Sequence, residues 1–155
     1  MLLDSQRCKS SGRLGVQSAL AQYEIAQDLL DRALNLAPAS TRHVVLSHLG
    51  DLHKHRGAFL TAAEYYEEAS RLLPDDATYH VFRGAALACT GRLSDAEAAH
   101  RLATNCSDGC IDEAYHNLGL ILRAQRRLQE ALHCFEKVIE LDSDYEEALQ
   151  AAGCH

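Results

Sequence analysis

The sequence predicts an all-α protein made of antiparallel helix pairs stacked one on the next. Three observations carry that prediction. The chain is self-similar at a period of about 34 residues. Each unit places apolar residues at the three- and four-residue steps of a helical face. No segment sustains the two-residue alternation of a strand. Gly50, Gly84, Gly119 and Gly153 fall 34, 35 and 34 residues apart. Twelve residues beyond the first three stand Ala62, Ala96 and Ala131, and four further on comes a ring: Tyr66, His100 and Phe135. Ala69, Ala103 and Val138 follow, and Pro74, Asp108 and Ser143 close the units. An earlier half unit repeats the ending as Ala26, Leu30, Ala33 and Pro38.

The first helix of each pair is marked by Leu46, Leu49, Gly50 and His53, and again by Tyr115, Leu118, Gly119 and Leu122. Short polar stretches, His55-Arg56-Gly57-Ala58, Thr90-Gly91-Arg92 and Gln125-Arg126-Arg127, force each pair into an antiparallel hairpin. The spacing predicts helices over 16–36, 42–55, 59–72, 77–90, 93–104, 112–125, 128–141 and 145–153. Residues 1–15, with Ser10-Ser11-Gly12 and Gly15, are expected to leave the opening repeat half formed. Asp142, Asp144, Glu146 and Glu147 are expected at the acidic start of the last helix.

Composition bounds the function. At 155 residues one domain buries enough surface to need neither disulfides nor metals, so the six cysteines suit free thiols in a reducing compartment. A net charge of −7 argues against a general nucleic-acid binder, which needs a basic face. No apolar run reaches the length of a membrane span, and Met1-Leu2-Leu3-Asp4 leads into polar sequence. The expectation is a cytoplasmic protein with no nucleic-acid or membrane partner.

The closest single unit, Tyr115-His-Asn-Leu118-Gly119-Leu-Ile-Leu122 followed by Ala131-Leu-His-Cys-Phe135, resembles the tetratricopeptide repeat. The resemblance covers roughly residues 22 to 153. His80 and Arg83 depart from the family's aromatic and Leu preferences, and His100 from its usual Phe or Tyr. It implies a right-handed α-solenoid of antiparallel helix pairs, with about three full repeats and partial terminal ones. The whole chain, 1–155, is then one domain: a half repeat over 16–40, repeats over 43–76, 77–111 and 112–145, and a capping or truncated helix over 146–155. In this family the first helix of each pair lines a concave groove. By helical phase the groove includes Ser47, Asp51, Lys54 and His55, then Thr78, Val81 and Ala85, then Glu113, His116, Leu120 and Arg123. Its small apolar floor between polar walls suits an extended or helical segment of a partner protein.

Other chemistry is weakly supported. Phosphate-loop, dinucleotide, nucleophile-elbow and zinc-helix patterns are missing, so neither a catalytic residue nor a cofactor is expected. Asp51 and His55 share a helical face, but two ligands do not make a metal site. Cys106 and Cys110 flank a loop one residue longer than its equivalents and could meet as a thiol pair. A metal or thiol sensor built on such residues is the weakest reading. Arg123, Arg126 and Arg127 gather at a helix end, where an acidic group could dock or where they simply complement the helix dipole. Family members that grip chaperone carboxyl termini use a basic clamp. Here the matching positions are Ser47, Asp51, Phe82, Glu113 and Asn117, so that clamp is not expected. The sequence therefore predicts a noncatalytic protein-binding scaffold. The alternative is the repeat portion of a larger enzyme or signalling protein, such as a glycosyltransferase. If Ala96 and Ala131 sit between paired helices, Ala96→Leu or Ala131→Leu should each cost about 1–3 kcal/mol in thermal melts, in a protein whose circular dichroism is helical throughout.

Overall fold

Each ring that follows a repeated glycine lies against that glycine across the hairpin, and the contact sets how closely the two helices approach. A Cβ on Gly50 would stand 2.5 Å from the Tyr66 ring, one on Gly84 2.6 Å from His100, and one on Gly119 2.7 Å from Phe135. No side chain fits in that space. The computed structural model describes the backbone of residues 2–151 and the side chains of residues 16–142. Among them it forms seven helices: α1 (Leu2–Leu36), α2 (Arg42–His55), α3 (Phe59–Leu72), α4 (Ala77–Cys89), α5 (Leu93–Thr104), α6 (Ile111–Ala124) and α7 (Leu128–Ala151). The hairpins are α2–α3, α4–α5 and α6–α7, with α3 packed on α4 and α5 on α6.

The core alternates large and small. Leu46 of α2 packs with Ala69, Val81 of α4 with Ala103, and Leu118 and Leu122 of α6 with Ala131, each alanine lying on a second helix. Each buried Leu contributes about 1.5–3 kcal/mol, and the alanines let the helices close on it. Within each hairpin a left-handed residue turns the chain: Gly57 and Gly91 at φ 78°, and Arg126 at φ 63°. Glycine adopts that conformation freely, whereas Arg126 does so at a cost of about 1–2 kcal/mol.

Between pairs, the longer loop has a structural task. Its Asp108 carbonyl accepts from Ala77 N at 2.8 Å, while Asp108 N donates to the Asp75 carbonyl at 3.3 Å, a short parallel bridge between successive interrepeat turns. Ser107 donates to the Asp75 carboxylate from both backbone N, at 3.0 Å, and hydroxyl. Asp76 caps α4 by accepting from Thr78 N at 2.9 Å.

Two expectations about the ends are corrected. The opening segment is helical from Leu2, because Ser10, Ser11, Gly12 and Gly15 weaken a helix without breaking it and no proline intervenes. No separate helix starts at residue 145: α7 runs unbroken through Asp142-Ser143-Asp144, which lacks the Pro or Gly found at the earlier unit boundaries. The acidic residues there lie within a helix. Side chains beyond residue 142, and residues 152–155 altogether, including the expected repeat glycine Gly153, lie outside the described residues.

His100 is the exception among the three rings. It is 1% exposed, its Nδ1 is buried without a hydrogen-bond partner, and burial pushes its pKa from the ordinary 6.5 down to about 4. The fold therefore favours the neutral ring. Its contribution is complete above pH 6.5 and falls as the unfolded chain takes up a proton that the folded chain refuses, by about 3 kcal/mol in all once the pH has dropped to about 4. Urea unfolding of the wild type and His100→Phe near neutral pH and near pH 4 should show the variant losing markedly less stability on acidification. Equal losses would remove His100 as the cause.

Candidate functional site

The first helices α2, α4 and α6 carry the groove residues, and the structure gives their side chains unequal roles. At the α2 end, Asp51 is a junction. It accepts from Tyr66 Oη at 2.6 Å and pairs with Lys54 Nζ at 3.5 Å, while its backbone carbonyl lies 2.7 Å from His55 Nδ1. Burial and the Asp51 carboxylate together raise the Tyr66 pKa far above its usual value, so the phenol stays protonated and donates. Lys54 Nζ stands 5.9 Å from the centroid of the Phe82 ring, which itself tilts against Tyr66 at 5.5 Å. A cation, a carboxylate and an aromatic face are thus held together where α2 meets α4. Phe82 is a half-buried aromatic whose place in this cluster the phase reading did not single out. Phe82 stands on α4 and Tyr66 on α3, so the two meet only once successive hairpins are stacked, which helical phase within one element does not show.

Further along, Ala85 is exposed and Leu120 half-buried, while Glu113, His116 and Arg123 are exposed. The His116 ring lies 6.1 Å from Phe135. Ser47 and Thr78 are half-buried. Thr78 Oγ1 donates to Cys110 Sγ at 3.6 Å, so it serves the interrepeat joint as well as the groove edge. Val81 is corrected: at 0% exposure it is packed with Ala77, Ala103 and Ala114, in the core rather than on the groove floor. It shares its phase with Ser47 and His116, but α4 is the central first helix and touches α6 directly, which closes that face.

The remaining chemistry-bearing residues are drawn into structure. Cys106 Sγ contacts the backbone carbonyls of Leu102, at 3.3 Å, and Pro74, at 3.7 Å, whereas Cys110 faces Thr78. Burial, with Asp75 and Asp76, pushes the Cys106 thiol up, away from the thiolate that a nucleophile or metal ligand needs. His53 stacks on Tyr65 at 5.3 Å, and burial followed by Arg56 lowers its pKa. Arg127 is not free for an acidic ligand. It bonds both Glu97 oxygens at 2.9 Å and Glu130 at 2.6 and 2.8 Å, and Arg101 joins the same two glutamates at 2.9 and 3.2 Å. This four-residue network ties α5 to α7, leaving Arg123 as the exposed basic residue of the trio that the groove helices carry. No helix among the described residues is long and apolar enough to cross a membrane.

Stacked helix pairs that seat each ring on the glycine sixteen residues before it define a helical-repeat solenoid. Residues 112–145 match the model of the tetratricopeptide repeat. The chain is 28% identical over 123 residues to human protein O-mannosyl-transferase TMTC1, spanning 79% of this chain and 14% of that protein. It is 32% identical over 114 residues to human tetratricopeptide repeat protein 7A, spanning 74% of this chain and 13% of that one. Among solved structures it superposes on the first repeat domain of Spaghetti (RPAP3) bound to the HSP90 peptide SRMEEVD, with a TM-score of 0.61 and 22% identity over 74% of this chain and 95% of that one. The chain is a tetratricopeptide-repeat protein with the right-handed α-solenoid fold of that family. It spans about one seventh of the length of the two curated relatives.

Proposed function

We propose that the protein is a noncatalytic scaffold that receives a segment of a partner protein in its concave groove, and that it acts in the cytoplasm without nucleic-acid or membrane partners. The observation that supports this most is the cluster at the α2–α4 junction. Lys54, Asp51 and Phe82 offer a cation, an anion and a ring beside the open Ala85, a set suited to a peptide with one apolar anchor and flanking charge. Ser47, His55, Thr78, Glu113, His116, Leu120 and Arg123 would complete the walls. The Spaghetti domain, bound to an HSP90 peptide, shows that a fold like this one can hold a peptide. The partner proposed here is of a different kind from a chaperone carboxyl terminus, since Glu113 and Asp51 place negative charge where an anionic end would sit. The repeat divisions at 43–76, 77–111 and 112–145 belong to the same reading.

A second reading draws support from TMTC1: the chain would be the repeat portion of a larger enzyme, with catalysis elsewhere. The length of the natural reading frame distinguishes the two.

Partners recovered by proximity labelling with the whole chain provide the binding assay. Ala85→Glu should weaken binding at every salt concentration, because it buries an unpaired charge. Arg123→Glu should weaken it mainly at low salt, since exposed charges are screened over about 8 Å at physiological ionic strength. Melting curves taken in parallel separate lost contacts from lost fold. Full binding by both folded variants, with loss in Glu64→Lys and Arg71→Glu on α3, would move the site to the convex face.

A further inference from the structure

Gly50, Gly84 and Gly119 hold the same place in three hairpins, so the residues that follow them, Asp51, Ala85 and Leu120, are equivalent positions on the first helices. Only Asp51 is charged. Its hairpin is also the one that can hold a carboxylate in place, because Tyr66 is the one ring of the three with a hydroxyl to donate. That ring is 0% exposed and its Oη reaches Asp51 Oδ1 at 2.6 Å, so the core orients the carboxylate. Beside it stands Phe82, in the position that His48 holds one repeat earlier and Asn117 one repeat later. The Phe82 and Tyr66 rings are 5.5 Å apart. A fixed carboxylate next to an aromatic face attracts cations, and neither of the other two hairpins repeats the combination.

A cation of the chain itself already leans on this pair. Lys54 Nζ lies 3.5 Å from Asp51 Oδ1 and 5.9 Å from the Phe82 centroid. Both contacts are loose, since a charge-assisted hydrogen bond closes to about 2.7–2.9 Å and a cation–π contact fades beyond about 6 Å. Lys54 is tethered three residues from Asp51 on the same helix, and its side chain is 43% exposed. Oδ2 takes no hydrogen bond from the described residues. An arginine has what Lys54 lacks: a planar guanidinium that lies flat on a ring while two of its N–H groups meet a carboxylate. The chain's net charge of −7 draws a basic segment toward it. Ala85 and Leu120, next in the same register, offer apolar contact beside the cation.

Resting on the groove reading, we infer that Asp51 and Phe82 form the anchor site for an arginine of the partner segment, and that Lys54 is the cation this arginine displaces. The two charged residues then act with opposite sign. Asp51 holds the partner, whereas Lys54 competes with it.

A displayed library of random peptides, selected on the full chain, tests this. The selection should enrich arginine beside apolar residues. Synthetic copies of the selected peptides should bind about tenfold more weakly when citrulline replaces the arginine, keeping its shape without its charge, and should lose a similar factor against Asp51→Asn. Asn still offers Tyr66 an oxygen, so this variant should melt as the wild type does. Lys54→Met keeps the apolar stem and should tighten binding about two- to fivefold, by removing an exposed competitor. A selection without arginine, binding indifferent to Asp51→Asn, or weaker or unchanged binding by Lys54→Met each overturns the inference. If such peptides are still lost in Ala85→Glu, the groove stands without an arginine anchor. If they are lost instead in Glu64→Lys on α3, the groove reading falls as well.

Discussion

The fold rests on a ring seated where a glycine leaves no Cβ. Tyr66 on Gly50, His100 on Gly84 and Phe135 on Gly119 each fix one hairpin at the closest approach that backbone and ring allow. Everything else follows at that spacing. Alanines suffice on the second helices because the gap is already narrow, and leucines on the first helices fill what is left. The same contact reaches the groove, since Tyr66 carries its hydroxyl past Gly50 to Asp51, and Asp51 in turn pairs with Lys54. A packing device of the core thus positions charge on the concave surface.

The three rings are not equivalent. Tyr66 satisfies its polar atom at the groove edge, Phe135 has none, and His100 buries one nitrogen without a partner. In an array whose units touch only their neighbours, the central unit is coupled on both sides. The least satisfied ring therefore occupies the place where its packing matters to both halves.

Much of this was legible before the structure. The glycine, alanine and ring series placed the hairpins, because a period imposed by close packing leaves residues that cannot vary in size. What escaped belongs to contacts between units. Val81 has the phase of a groove residue, but phase does not say how many helices cover a face, and α4 is covered on both sides. Arg127 reads as an open cation until Glu97, distant in sequence, and Glu130, in the first turn of α7, are brought around it. The continuity of α7 was hidden by the repeat frame itself. The frame asks for a boundary at Ser143, whereas local chemistry supplies none.

The bridge between the two interrepeat turns also has a mechanical meaning. A helical solenoid bends like a coil spring, each joint tilting in whatever direction its side chains permit. Where the Asp75–Asp76 turn is laced to Ser107 and Asp108 by backbone and side-chain bonds, one edge of the joint is fixed in length. Tilting there becomes rotation about that edge, as a book opens about its binding. The first helices α4 and α6 then spread or close as facing pages, so the width of the groove at this joint is governed by a single angle.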